Sequence, residues 1–82
     1  MQTICLFGHD YQNASQVHEA LKSLLDLPSW YGMNADALAD CLSELVRCPG
    51  LWVRVEGPED VQACLRLISR VFADQGAEVK EL

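Results

Sequence analysis

Leu27-Pro28-Ser29-Trp30-Tyr31-Gly32-Met33-Asn34-Ala35-Asp36-Ala37-Leu38-Ala39-Asp40-Cys41-Leu42 is the stretch around which the rest of the chain is arranged. Pro28 and Gly32 mark residues 27–34 as a turn, and that turn carries the adjacent aromatics Trp30 and Tyr31. Asn34 is a good N-cap, because its side-chain oxygen accepts a backbone N–H of the first helical turn. Leu38, Cys41, Leu42 and Leu45 then recur at helical spacing, which predicts a helix from Asn34 to about Val46 with one buried stripe.

Asp36, Asp40 and Glu44 recur at i, i+4 and i+8 and form a second, wholly acidic stripe on another face. The ordinary reading of such a stripe is a solvated helix face. Asp36 agrees with it, since a negative charge in the first turn is favoured by the helix dipole. Asp40 and Glu44 agree less well. Like charges at i, i+4 cost an isolated helix about 0.2–0.5 kcal/mol per pair. No Lys or Arg stands at i±4 of any of the three, and only Arg47, three residues after Glu44, could relieve one end. The alternative reading is a face held ready for a cationic partner.

Upstream, residues 2–7 read as a strand, rich in apolar and β-branched side chains, and 8–12 as a polar loop. Asn13 with Gln16 resembles a capping box, and Val17, Ala20, Leu21, Leu24 and Leu25 supply the stripe of an amphipathic helix that Pro28 stops. His18 falls on the polar side of that helix. Downstream, Leu51, Val53 and Val55 alternate with Trp52 and Arg54, as in a strand covered on one face. Gly57-Pro58-Glu59-Asp60 is a strong helix start, with Pro58 at about the first helical position. Val61, Cys64, Leu65, Ile68, Val71 and Phe72 give the longest apolar stripe, Gly76 ends it, and 77–82 reads as a third strand with Val79 inward. Strands separated by helical crossovers are parallel. The expected fold is therefore α/β: a two-layer, three-stranded parallel sheet of order 1-2-3 with three main helices on one face, in one domain spanning residues 1–82.

Composition narrows the function. Twelve acids against six bases give a net charge of −6. Nucleic acid is a poor partner for that surface, because binding it requires phosphates to be neutralised by Lys and Arg. A basic protein is a better one, since opposed charge raises the encounter rate and selects orientation. No apolar run reaches membrane-spanning length, and Met1 to Cys5 lacks the basic and apolar regions of a secretion signal, so a cytoplasmic protein without membrane contact is expected. Cys5, Cys41, Cys48 and Cys64 form no C-x-x-C and no Cys/His cluster, which argues against zinc. Cys5, Cys41 and Cys64 read as small core hydrophobes, Cys48 as the reachable thiol, all of them reduced. No phosphate-binding loop, dinucleotide fingerprint, zinc-protease or nucleophile-elbow motif occurs. His9-Asp10, just after a strand, is the one acid/base pair to weigh against an exposed polar loop. Neither enzyme activity, a metal nor a cofactor is expected.

The central stretch resembles the barstar family, intracellular inhibitors of a secreted bacterial ribonuclease. The family pattern is a Leu-Pro, an aromatic pair, Gly, a variable residue, Asn, a variable residue, then Asp-Ala-Leu-x-Asp-Cys-Leu. It is matched here by Leu27-Pro28, Trp30-Tyr31, Gly32, Asn34, Asp36-Ala37-Leu38 and Asp40-Cys41-Leu42. The resemblance implies that the acidic helix and its turn plug a ribonuclease active site, with Asp40 as the principal carboxylate in the place of an RNA phosphate and Asp36 as a second contact. By the same resemblance Trp30, Tyr31, Gly32 and Asn34 belong to the partner surface, and Asp74 is the nearest match to an acid in the last helix. Ala39 stands where a family member has tryptophan, Leu45 where it has another aromatic, and Glu44 where it has a small residue. The free protein is expected to be a monomer. Another possibility stays open: a module of the same fold, or a homodimer, whose partner is not a ribonuclease.

Overall fold

Alternation of apolar and polar residues builds the sheet. In the computed structural model, which describes residues 3–45 and 47–82, strand β1 is Thr3–Phe7, β2 is Gly50–Arg54 and β3 is Val79–Glu81. The strands lie parallel in the order β1-β2-β3. Ile4, Leu6, Leu51 and Val53 are buried on one side, while Thr3, Cys5, Trp52, Arg54 and Lys80 are exposed on the other. The pairing sets Cys5, Trp52 and Lys80 in one row across the open face, with the Lys80 ammonium 5.1 Å from the centre of the Trp52 ring. Such an exposed cation–π contact contributes about 0.5–1 kcal/mol.

The helical layer covers the other face. Helix α1 is Ala14–Leu24, α2 is Ala35–Ser43 and α3 is Glu59–Asp74. Helix α3 is central: it packs on α1, α2, β2 and β3 and buries Val61, Cys64, Leu65, Ile68 and Phe72. Each fully buried side chain of that size contributes about 1.5–3 kcal/mol over an exposed one. The end of α3 closes as expected of Gly76: its φ is +81°, its N–H donates to the Ala73 carbonyl at 3.0 Å, and the Ala77 N–H donates to the Phe72 carbonyl at 3.0 Å. That pair of bonds is the Schellman arrangement.

Several expectations need correction. Gly8–Asp10 forms a turn of 3₁₀ helix where a plain loop was expected, while the expected strand start at Gln2 lies outside the described residues. Gly8 is required there, because a Cβ would stand 2.0 Å from the Glu56 carbonyl oxygen. Asn13 caps α1 as expected, accepting from the Gln16 N–H at 3.0 Å, but the reciprocal bond of the capping box is displaced by one residue, Gln16 Oε1 accepting from the Gln12 N–H at 2.7 Å. Cys5 is exposed on the open sheet face and is no core residue. Leu24 is 46% exposed because α1 ends on it. Leu45 is 37% exposed, since α2 stops at Ser43. There the Ser43 hydroxyl donates to the Asp40 carbonyl, and the N–H groups of Glu44 and Leu45 bond three residues back. These i→i−3 bonds tighten the last turn and swing the chain off the helix axis. Val46 lies outside the described residues.

Candidate functional site: an exposed acidic helix and its turn

Two hydrogen bonds of one cap residue hold α2 against the turn before it. The Asn34 Oδ1 accepts from the Ala37 N–H at 2.8 Å, and its Nδ2 donates to the Gly32 carbonyl at 3.1 Å. One side chain therefore fixes both the helix start and the shape of the turn. Tyr31 N–H donates to the Pro28 carbonyl at 3.0 Å. Met33 has φ +57° and Asp26 φ +52°, left-handed conformations that non-glycine residues adopt at a cost of order 1–3 kcal/mol. The strained residues bracket the turn, and Met33 offsets its strain by packing against the core.

Trp30, Gly32, Asn34, Asp36, Asp40 and Glu44 are all exposed, on the turn, on α2 or, for Glu44, at its C-cap. Trp30 is 63% exposed, the most open of the large apolar side chains among the described residues. Asp36 and Glu44 are separated by roughly 12 Å along the helix axis. Among the described residues, no lysine or arginine forms an ion pair with any of the three acids; the ion pairs are those of His9 with Asp10 and Glu56. Ala39 is half-buried. Asp74 is exposed at the end of α3 and makes no hydrogen bond or ion pair to the turn or to α2 among the described residues.

Tyr31 departs from the surface. It is 5% exposed, with its ring in the core and its hydroxyl 2.7 Å from His18 Nδ1. Successive residues of the turn thus point opposite ways: Trp30 to solvent, Tyr31 inward. His18 likewise corrects the expectation of a polar-side residue, being only 8% exposed. Its other ring nitrogen, Nε2, lies 3.6 Å from Cys64 Sγ. Burial is tolerated because both nitrogens have partners, and no buried side-chain polar atom among the described residues lacks one. The signal was present in the sequence, since position 18 adjoins Val17 and stands three residues before Leu21 on the buried stripe.

The electrostatics of this cluster disfavour a thiolate–imidazolium pair. Burial pushes the Cys64 thiol up, aided by the charge of Asp60, and burial pulls the His18 imidazole down. Tyr31 is pushed up to about 12 by burial and by the neighbouring Cys41 and Cys64 thiols. The nucleophile chemistry of cysteine needs the thiolate, so this cluster is built for packing and hydrogen bonding.

His9 sits elsewhere, at the exit of β1. It pairs through Nδ1 with Glu56 and through Nε2 with Asp10 at 3.3 Å, and its ring stacks on Phe7 with centroids 6.1 Å apart. The imidazole is raised from its ordinary value, mainly by the hydrogen bond to Glu56, and Glu56 is lowered mainly by the same bond. The shallow grooves of the molecule, about 460 and 260 Å³, are lined by other residues, Leu45 and Arg47 in one and Arg66 and Val79 in the other. Asp36, Asp40 and Glu44 are exposed and line neither groove.

The sequence matches the family model described as Barstar (barnase inhibitor) over residues 1–80. The chain belongs to the barstar family. It is also similar to the Bacillus subtilis (strain 168) protein named "Putative ribonuclease inhibitor YrdF", with 45% identity over 49 residues. That match covers 60% of this chain and 54% of the relative, so it spans about half the length of the curated protein. The three-stranded parallel sheet and three helices agree with a barstar-like fold. No helix among the described residues is long and apolar enough to cross a membrane.

Proposed function

We propose that this barstar-family chain inhibits a basic ribonuclease by occlusion, with α2 and the turn before it seated in the enzyme's substrate cleft. A ribonuclease cleft is lined by cations that hold RNA phosphate. Asp36, Asp40 and Glu44 offer those cations carboxylates on a rigid, capped helix, so little conformational freedom is lost on binding. Trp30 adds apolar area beside the ionic centre, as aromatic anchors do at interface hot spots. Asn34 and Gly32 shape the rim between them. Asp40 occupies the middle of the acidic row and is the principal carboxylate of the proposal, with Asp74 and Ala39 at its periphery.

The observation that carries this reading is the row of exposed acids without a cationic partner among the described residues, next to an exposed tryptophan. A merely solvated helix would have gained from Lys or Arg at i±4. Family membership supports the same conclusion. The test is a titration of RNA hydrolysis by small basic bacterial ribonucleases with the purified chain. Stoichiometric inhibition that competes with RNA is expected. Unchanged hydrolysis at micromolar chain across a panel of such enzymes contradicts the proposal.

A further inference from the structure

The six bases of the chain are not spread evenly. Arg66 and Arg70 alone among them stand four residues apart, and both are exposed on α3. They rise on successive turns, about 6 Å apart along the helix axis. Leu67 beside them is 51% exposed. Arg66 borders the groove that Glu81 also lines, and Asp74 stands one turn beyond Arg70, yet neither arginine forms an ion pair among the described residues. Lys80, by contrast, is engaged by the Trp52 ring. Asp36 and Asp40 on α2 have the same spacing and the opposite charge, and they too form no ion pair among the described residues. Like charges at i, i+4 repel within each helix, so each row gains when the other neutralises it. Within one copy the rows do not pair, although α2 and α3 pack on each other.

We propose that the free chain, in place of the monomer expected from its sequence, forms a weak two-fold dimer in which Asp36 and Asp40 of each copy face Arg66 and Arg70 of the other, with Leu67 in the contact. Adjacent helices carry the two rows, so one two-fold axis pairs both rows of each copy and the contact closes at two copies. A contact built on two exposed rows falls below the roughly 1,200 Å² of a standard interface, so the dimer is transient. Its attraction is screened by salt, over a Debye length of about 10 Å at 0.1 M. The dimer covers the acidic row. It therefore competes with a ribonuclease, a consequence that rests on the function proposed above, whereas the dimer is a property of the free protein and is tested there.

Analytical ultracentrifugation follows the average mass from roughly 10 μM to 1 mM chain, at about 20 and 300 mM salt, with the fold of each variant verified by circular dichroism. In low salt the mass rises from 9.1 kDa towards twice that value and no further, and in high salt it returns to 9.1 kDa. The double variants Arg66→Glu with Arg70→Glu, and Asp36→Lys with Asp40→Lys, each stay monomeric alone, because each presents two rows of like charge. Mixed in equal amounts they form the dimer, since every acidic row then meets a basic one. The lysine variant carries less net negative charge than the wild type, so its failure to associate separates paired rows from general repulsion. A wild-type chain that stays monomeric in low salt overturns the proposal. So does a dimer of either variant alone, a mass beyond two copies, or a mixture that stays monomeric. A wild-type dimer beside unchanged RNA hydrolysis sinks the proposed function and leaves the dimer standing.

Discussion

Asn34 and His18 carry more structure than their size suggests, and each gives a measurable prediction. Asn34 caps α2 and also ties Gly32, so Asn34→Ala is expected to lower stability by about 1 kcal/mol, read as a reduced urea midpoint at unchanged slope. His18 makes stability depend on pH with a definite sign. Its folded pKa lies below the ordinary 6.5 because of burial. Between those two values the unfolded chain binds the proton and the folded chain does not. Stability therefore falls as pH drops from 6.5 through the folded value, and the loss is complete below it. Urea melts at pH 7.5, 6.5 and 5.5 check this, with Tyr31→Phe showing a lower midpoint at pH 7.5. The cap was legible in the sequence, because an Asn before an apolar-periodic run satisfies a local rule. The partners of His18 were not, because Tyr31 and Cys64 lie 13 and 46 residues away and only the fold brings them together.

At the scale of elements, the parallel strands and the three helices could be read from the residues, since periods of two and 3.6 report burial directly. The ends could not. Helix α2 stops at Ser43 through hydroxyl and i→i−3 bonds that compete with one more helical turn, and no apolar position announces them. The exit of β1 was likewise hidden, since the close approach of Gly8 to Glu56 depends on the sheet pairing. Gly8→Ala should cost more than about 3 kcal/mol, because the added carbon meets backbone that cannot step aside; an insoluble or molten product checks it. The His9–Glu56 contact near the same place adds a smaller, pH-bounded contribution. The raised imidazole contributes fully below 6.5 and its contribution is lost as pH rises through the folded value. The lowered carboxylate contributes above 4.5 and its contribution is lost as pH falls through its own folded value. Glu56→Gln should therefore destabilise mainly between those limits, and weakly, because the pair is exposed to solvent and salt.

For the whole molecule, net charge and the placement of the acids act together. In the proposed function a net charge of −6 steers the basic partner from a distance, and the row on α2 directs it to one face. On the proposed reading, acids away from the centre of the row, Glu44 after α2 and Asp74 at the end of α3, govern association: Asp74→Asn is expected to lower the on-rate a fewfold and to flatten its dependence on salt, with little change in dissociation. The resemblance carried by residues 27–42 pointed to this face from the sequence alone. What it did not reveal is that the aromatic pair divides, with Trp30 outside and Tyr31 holding the turn from beneath. The central claim is that the unpaired acidic row is the inhibitory surface, with Asp40 at its centre. The most direct measurement is the dissociation rate of the complex formed with an inhibited ribonuclease, for wild type and Asp40→Ala, with folding of the variant verified by its circular dichroism. The prediction is a loss of at least about 2 kcal/mol, ~30-fold in affinity, expressed as faster dissociation. Equal dissociation rates for the two proteins would contradict it.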